Sequence, residues 1–312
     1  MAKPLSSLKG RFILALAALI LLPALATRSP AEARLDLSST RPDRPFTEEV
    51  NVTIVLIPVV VRDASGRPVT DLVREDFTVL EEGVPQPLDF FGREARPVSI
   101  VLALDTSWSM RPHELAVKSA ALEFVKGQRE GTAFALEVFN DVVLLEKDFT
   151  ESRKAAEDAI GALRAQGENT ALYDALAAAS RHLEKREGGR IVVLFTDGTE
   201  TVQVGDGALG RLGEAIADAV RRDVSVYTVA FGPKAARLVL DRMSAETGGE
   251  SFTAGTADDL RAAFAHVAES VGSRYLLSYR LPRPGSTGYR KIDVRVARPG
   301  LRVAARKGYY AR

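Results

Sequence analysis

Residues 97–110 read PVSIVLALDTSWSM, and the apolar run within them ends abruptly at Asp105. Two hydroxyl side chains, Ser107 and Ser109, follow at alternate positions. A continuous apolar run of this length is typical of a central strand in a parallel sheet, which is buried on both faces. Ligands of open α/β sheets bind outside the carboxyl ends of such strands. The segment therefore predicts a buried strand that delivers one carboxylate and two hydroxyls to a binding site.

The chemistry of this predicted site points to a hard metal ion. The segment contains neither histidine nor cysteine, so its polar side chains offer only oxygen ligands. Carboxylate and hydroxyl oxygens suit Mg²⁺, Mn²⁺ or Ca²⁺ better than zinc. We therefore expect one of these divalent cations as the cofactor.

Beyond this segment, strands and helices alternate along the chain, which is the pattern of a doubly wound α/β sheet. The dipeptide Asn140-Asp141 separates two adjacent strand patterns and predicts a hairpin, hence one antiparallel edge strand on a mostly parallel six-stranded sheet. Leu115, Leu122 and Val125 recur at helical spacing and predict the buried face of the first helix. The predicted strands after the first are 132–139, 142–146, 191–196, 224–231 and 251–253, and the predicted helices are 112–126, 151–165, 170–186, 208–221, 234–246 and 257–271.

Both flanks of the α/β region have β character. Residues 50–96 contain three strand patterns, at 52–61, 76–80 and 88–91, and the tail contains three more, at 275–281, 292–296 and 301–305, with a loop at 282–288. Neither flank is long enough to bury a core alone. We expect the N-terminal segment 50–96 and the C-terminal segment 272–312 to pack together as a small β-sandwich-like domain, with the α/β domain 97–271 inserted between them.

The first 33 residues have the layout of a secretory signal peptide. Lys3, Lys9 and Arg11 precede an unbroken apolar stretch at 12–22, and small residues suited to cleavage follow at two places before residue 34. An uncleaved membrane anchor is the alternative, although the apolar stretch is shorter than the roughly 20 residues that a span needs. The polar, proline-containing residues 34–49 are expected to form a linker. Either way the domains are predicted to be extracytoplasmic, secreted or periplasmic.

The bulk composition excludes several classes of function. Lysine and arginine number 42 against 41 acidic residues, a net charge of +1, which does not suggest a nucleic-acid-binding protein. The chain has no cysteine, so disulfides, thiol catalysis and a lipid-modified cysteine are excluded. It has no Walker A loop, no G-x-G-x-x-G motif and no G-x-S-x-G elbow. We therefore predict no nucleotide cofactor, no catalytic residues and no enzymatic activity.

Two further residues extend the Asp105-x-Ser107-x-Ser109 motif. Thr170 opens a predicted helix, and Asp197, followed by Gly198, ends the second buried strand. Taken singly, the two serines and the threonine could cap helices, and Asp197 could stand in an ordinary turn. In this order, however, the five residues resemble the metal-ion-dependent adhesion site (MIDAS) of the von Willebrand factor type A (VWA) family, over roughly residues 98–271.

The flanks resemble a narrower group, the bacterial VWFA-related secreted proteins. The stretches that carry this resemblance are Val61-Arg62-Asp63, Gly66-Arg67-Pro68-Val69, Glu75-Asp76-Phe77-Thr78-Val79 and Arg306-Lys307-Gly308-Tyr309-Tyr310.

The VWA resemblance implies a function in binding rather than catalysis. It implies that Ser107 and Ser109 bind the metal directly, that Thr170 binds it directly or through water, and that Asp105 and Asp197 bind it partly through water. An aspartate or glutamate of a protein partner would complete the coordination. A structural scaffold whose metal only steadies the loops is the alternative, and a Mg²⁺-dependent hydrolase is a third, although it would lack any general base besides the aspartates.

We also expect a rim of ligand-contacting residues around the metal. Trp108, the only tryptophan, stands between the two serines, with Met110 close behind it and Gly198 in the opposite loop. Aromatic side chains are favoured anchors at protein interfaces. Trp108 could instead pack against a neighbouring loop.

Overall fold

A six-stranded, mostly parallel sheet with helices on both faces forms the larger part of the fold. The computed structural model describes residues 53–202, 207–233, 235–281 and 287–311. The predicted signal peptide at 1–33, the predicted linker at 34–49 and most of the predicted loop at 282–288 lie outside these residues.

The strands in chain order are β1 (Ile54–Arg62), β2 (Phe77–Glu81), β3 (Val84–Gln86), β4 (Phe90–Arg93), β5 (Val98–Asp105), β6 (Ala133–Phe139), β7 (Val143–Thr150), β8 (Gly189–Thr196), β9 (Val224–Phe231), β10 (Ser251–Ala254), β11 (Tyr275–Arg280), β12 (Gly288–Val296), β13 (Arg302–Ala305) and β14 (Gly308–Ala311). The α-helices are α1 (Glu114–Gly127), α2 (Arg153–Ala162), α3 (Leu172–His182), α4 (Ala208–Arg221), α5 (Arg237–Thr247) and α6 (Ala257–Ser273). A 3-10 helix, Trp108–His113, leads into α1.

The central sheet has the strand order β10-β9-β8-β5-β6-β7. All eight residues of β5 are buried, and this strand pairs in parallel with β8 on one side and β6 on the other. Burial on both faces explains why β5 is a continuous apolar run rather than an alternating one. β7 pairs antiparallel with β6 at the edge, as the Asn140-Asp141 hairpin predicted. The predicted fold class is confirmed.

Helices cover both faces of this sheet, each over its own hydrophobic cluster. α1, α2 and α6 pack on one face, and α3, α4 and α5 pack on the other. The prediction that Leu115 belongs to the buried face of α1 was wrong, since it is 82% exposed. The buried residues of that helix include Val117, Ala121 and Phe124, which follow one another at intervals of four and three residues, and this stripe leaves Leu115 on the solvent side.

The two flanks of the chain pair strand by strand into two antiparallel sheets. One sheet has the order β13-β1-β11-β4, and the other has the order β14-β12-β2-β3. Side chains from both sheets share one hydrophobic cluster, which includes Ile57, Tyr279 and Ile292. The short strands β3 and β14 were not predicted. Within the described residues, no helix combines the length and the apolar character needed to cross a bilayer.

Gly188 lies directly before β8 and is in close contact with Pro97, which lies directly before β5. Substitution of this glycine tests whether the contact constrains the fold. The φ angle of Gly188 is +80°, and a Cβ atom built on it would lie 2.1 Å from the Pro97 carbonyl oxygen. Gly66 has nearly the same φ angle, +83°, but open space around it. We expect Gly66→Ala to lower the free energy of unfolding by about 1 kcal/mol from backbone strain alone. We expect Gly188→Ala to lower the free energy of unfolding by at least about 2 kcal/mol more than Gly66→Ala does, because it adds a clash with the backbone.

Urea denaturation of the two variants and the wild type measures both losses. Equal losses for the two variants would show that the contact between Gly188 and Pro97 does not constrain the fold.

Candidate metal centre

The parallel pairing of β5 and β8 brings two carboxylates to one edge of the sheet. Asp105 is the last residue of β5, and Asp197 follows the last residue of β8 directly. The two strands are paired up to Leu104 and Phe195, so the aspartates leave the sheet side by side. Thr196 Oγ1 donates a hydrogen bond of 2.5 Å to Asp105 Oδ2 and ties the two strand ends together.

The two serines link the loop after β5 to the loop after β8. The Ser107 backbone N–H donates to Asp105 Oδ1 at 2.9 Å, and the hydroxyl oxygens of Ser107 and Ser109 lie 3.1 Å apart. Ser109 Oγ in turn donates to Asp197 Oδ1 at 2.8 Å. Ser107 precedes the 3-10 helix but makes no capping hydrogen bond with its side chain. The capping alternative therefore does not account for the position of Ser107.

Thr170 lies on a third loop, close to the loop that carries Asp197 and Gly198. The residue that caps α3 is Ala171 rather than Thr170, so the capping alternative fails here as well. The Thr170 N–H donates to Thr201 Oγ1 at 2.7 Å in the loop after β8, and the Thr201 N–H donates to the Thr170 carbonyl at 3.1 Å. A Cβ atom on Gly198 would lie 3.3 Å from Thr170 Oγ1. The glycine thus leaves room for the threonine hydroxyl beside Asp197.

Several residues that sequence reasoning missed hold these loops in place. Asn140 Nδ2 donates to Thr106 Oγ1 at 3.1 Å, and the Asn140 carbonyl accepts from the Ala171 N–H at 2.8 Å. The Asp141 carboxylate accepts the backbone N–H groups of Glu168 and Asn169 in the loop before Thr170. The sequence predicts only a hairpin at the Asn140-Asp141 dipeptide, whereas the structure gives it a second role in holding the loop before Thr170. The preference of both side chains for binding loop backbone was the clue to this second role.

Glu200 is a second missed residue. Its carboxylate accepts the Tyr173 N–H at the start of α3 at 2.9 Å and the Val202 N–H at 2.8 Å. It therefore joins the loop after β8 to the amino end of α3. Nothing in the sequence spacing distinguishes this glutamate from a surface residue.

The electrostatics of the site disfavour an ionised Asp105 in the absence of a cation. Asp105 is 3% exposed, and burial raises its pKa to about 6, with a smaller contribution from the neighbouring charge of Asp197. Hydrogen bonds from Thr196 and Ser107 oppose this shift in the pKa. In the described residues, no group of three or more histidine, cysteine or carboxylate side chains is arranged to hold a metal. The donors at this site are instead two carboxylates and three hydroxyls, a set that fits a hard cation.

The structure separates the three residues predicted to form the rim. Trp108 is 55% exposed, with the Arg111 guanidinium 5.2 Å from the centre of its ring. The prediction that Met110 belongs to the ligand-contacting rim was wrong, since this side chain is 1% exposed and belongs to the hydrophobic cluster under α1. The 3-10 helix is the reason, because it turns Trp108 outwards and Met110 inwards. Gly198 is half-buried beside Thr170.

The sheet is doubly wound, and three loops at the carboxyl ends of its strands carry oxygen donors. This is the architecture of a ligand-binding α/β domain. The sequence profile of the von Willebrand factor type A domain matches residues 99–266. The chain belongs to the VWA family. A comparison of the sequence with curated proteins finds no match.

Solved structures share this fold at low sequence identity. A von Willebrand factor type A protein from Catenulispora acidiphila is 15% identical with a TM-score of 0.53, and the alignment covers 85% of this chain and 75% of that one. Proximal thread matrix protein 1 from the mussel byssus is 18% identical with a TM-score of 0.51, covering 62% of this chain and 50% of that one. A structure of the same mussel protein with a zinc-occupied MIDAS motif is 17% identical, with a TM-score of 0.52 and coverages of 62% and 50%.

The buried carboxyl of Asp105 leads to a pH-dependent prediction. Burial raises the pKa of Asp105 from 3.8 to about 6, so ionisation of this carboxyl lowers the free energy of unfolding of the metal-free fold. The loss of stability is absent below about pH 4 and complete above about pH 6. The shift in the pKa corresponds to roughly 3 kcal/mol. In EDTA, we expect Asp105→Asn to be more stable than the wild type at pH 8 by up to that amount, and equally stable at pH 4.

Urea denaturation at both pH values measures the difference, with Asp293→Asn as control at a partly exposed carboxylate that pairs with Arg295. A constant difference between pH 4 and pH 8 would show that the carboxyl charge is not the cause.

Proposed function

We propose that this protein binds protein partners through a divalent cation held by Asp105, Ser107, Ser109, Thr170 and Asp197. The observation that carries the proposal is the convergence of these five oxygen-bearing side chains, on three separate loops, at the carboxyl end of the sheet. Such a cation would supply the positive charge that attracts a carboxylate of the partner.

The spacing of the oxygen atoms, set here by hydrogen bonds between them, also fits the ligand spacing of a Mg²⁺ ion. Mg²⁺ binds its ligands at about 2.0–2.1 Å, so neighbouring ligand atoms of an octahedron are about 3.0 Å apart. The distance from Ser107 Oγ to Ser109 Oγ is 3.1 Å, and that from Ser109 Oγ to Asp197 Oδ1 is 2.8 Å. Both oxygens of Asp105 already accept hydrogen bonds, which suits a carboxylate that acts partly through water. We therefore propose Mg²⁺, with Mn²⁺ or Ca²⁺ as substitutes.

The surface around the site supports a protein as the ligand. Large apolar side chains are exposed in the loops or first helical turns that follow β5, β8 and β9, at the same edge of the sheet as the five oxygen donors. They are Trp108, Leu115, Val202, Leu209 and Leu238. Apolar side chains grouped around a polar site are typical of protein interfaces. The partner we propose presents an aspartate or glutamate surrounded by apolar side chains.

The location and the domain organisation belong to the same proposal. The signal-peptide pattern at 1–33 supports export, followed by a linker at 34–49, so the partner would be another protein of the cell envelope or the exterior. We assign residues 97–271 to the VWA domain. Residues 50–96 and 272–312, whose strands pair with one another, then form the small β-domain.

Removing a single oxygen donor should weaken cation binding. We expect Asp105→Ala and Ser109→Ala each to weaken Mg²⁺ and Mn²⁺ binding at least about tenfold, since each loses a ligand or the charge that supports the ligands. Isothermal titration calorimetry measures Mg²⁺, and the Mn²⁺ electron paramagnetic resonance signal gives a second readout. Asp293→Ala and Ser65→Ala, which are distant from the site, are the matched controls. Unchanged affinity in both site variants would refute the proposed metal centre.

Partner binding is a separate prediction. We expect the immobilised protein to retain a partner from the envelope fraction of its source cells in Mg²⁺, and to lose it in EDTA or in the Asp105→Ala variant. Trp108→Ala should weaken this binding about tenfold while Mg²⁺ binding persists, because it removes an interface anchor. Phe90→Ala, another exposed aromatic residue but in the β-domain, should have no effect.

The same binding experiment, together with a thermal-shift measurement with and without Mg²⁺, distinguishes the scaffold alternative. If Mg²⁺ raises the melting temperature but no partner depends on it, the metal only steadies the loops. Partner binding that survives both EDTA and Asp105→Ala would refute cation-dependent recognition.

A further inference from the structure

A cavity of about 390 Å³ lies at the opposite end of the sheet from the metal centre. It opens where β8 and β9 begin, and its wall includes Gly189, Val224 and residues of the β1 strand. Gly189 and Thr196 are the two ends of β8, so the cavity and the metal centre are roughly 23 Å apart along that strand. The volume falls in the range of pockets that hold small organic ligands.

Arginines outnumber carboxylates in the wall of this cavity, although Arg306 is paired with Asp223 and Arg221 with Asp218. Five arginines line the cavity together with two carboxylates: Arg96, Arg190, Arg221, Arg274 and Arg306, with Glu187 and Asp223. Arg190 donates hydrogen bonds only to carbonyl oxygens, those of Arg186 and Arg222, both at 2.7 Å. In the part of the chain that the structure describes, Arg190 has no carboxylate within ion-pair distance.

Arg274 is the most deeply buried of these arginines. Its side chain is 1% exposed, and its only carboxylate neighbour among the described residues is Glu94, at 3.6 Å. Glu94 is shared, because its other oxygen accepts a hydrogen bond of 2.6 Å from Arg96 Nε. Among the described residues, Arg274 Nε and Nη2 have no hydrogen-bond partner, and Nε of Arg306 in the same wall also has none. A buried, incompletely paired guanidinium lowers stability unless something satisfies it.

Part of the remaining wall is apolar, and Thr53, Ser225 and Thr247 also line it. Val55, Leu56, Val220 and Tyr310 line the cavity beside the arginines. Arg221 stacks on the Tyr310 ring, with its guanidinium carbon 4.6 Å from the ring centre, so one aromatic surface is held at the cavity wall. Pockets with an apolar wall and a few convergent charged groups are typical of small-molecule sites.

We propose that this cavity binds a small organic anion, with its carboxylate or phosphate group on Arg274 and Arg190 and its apolar part against Tyr310. A guanidinium presents two parallel N–H groups that match the two oxygens of either kind of anion. This site is independent of the metal centre and does not depend on the proposed function.

Three probes test the proposal: phenyl phosphate, benzoate and inorganic phosphate. The first two distinguish a phosphate ligand from a carboxylate ligand. Calorimetry on the full chain should show phenyl phosphate or benzoate binding more tightly than inorganic phosphate, since only the first two have an apolar part. The preferred probe identifies the anion class. Binding should also raise the melting temperature of the wild type.

Four variants locate the binding site. Arg274→Met, which keeps the side-chain volume, should weaken the preferred probe at least tenfold, and Arg190→Gln should weaken it at least threefold. Arg190 is only partly buried, so its variant remains informative even if Arg274→Met does not fold, which circular dichroism would reveal. Arg261→Gln on the exposed surface of α6 and Asp105→Ala in the metal centre should leave the affinity unchanged.

Two outcomes would overturn the proposal. One is the absence of binding by all three probes to the folded wild type. The other is equal binding to the wild type and Arg190→Gln; loss of binding in Asp105→Ala would then place the anion at the metal centre.

Discussion

The parallel pairing of β5 with β8 is the constraint on which the candidate metal centre depends. Backbone hydrogen bonds hold the two strands in register up to Leu104 and Phe195, and the next residues that carry charge are Asp105 and Asp197. Two carboxylates so close together, one of them buried, repel each other and lose hydration. The hydrogen bonds from Thr196 and Ser107 offset part of this cost. The divalent cation that we propose for this site would offset the rest.

Much of the central fold could be predicted because its strands are buried on both faces. A continuous apolar run such as the one that ends at Asp105 is typical of a strand of this kind, and the alternation with helices then determines the class of sheet. Convergence of Asp105 and Asp197 follows from that class, since adjacent parallel strands end at the same edge. The position of Thr170 was suggested by its order in the family motif rather than by any property of the residue itself.

What could not be predicted depends on the direction of single side chains and on contacts between distant loops. Met110 lies two residues from Trp108, and only the 3-10 helix that contains both puts one in the core and the other in solvent. Leu115 is apolar yet exposed, because burial in α1 follows a neighbouring stripe. Glu200 binds the backbone of α3 across a long interval of sequence. Spacing along the chain carries no signal for such a contact.

The two flanks are tied to the α/β part by buried charge as well as by the chain itself. Arg62 at the end of β1 donates hydrogen bonds to Glu250 at 2.6 Å and to Ser270 of α6 at 2.5 Å. Breaking such a pair leaves an uncompensated buried charge, so the contact strongly favours one docking of β1 against α6. The sequence alone shows Arg62 only as a charged residue at the end of a β-branched run.

Charge is distributed unevenly between the two ends of the central sheet. Carboxylates gather at the carboxyl ends of β5 and β8, whereas arginines gather where β8 and β9 begin. Both groupings occur at strand ends because the interior of the sheet, buried on both faces, accepts almost no charge. Each grouping has a buried member, Asp105 at one end and Arg274 at the other, whose charge the protein neutralises only in part. Residues that lower the stability of the fold in this way are typical of binding sites, and here they lie at opposite ends of the central sheet.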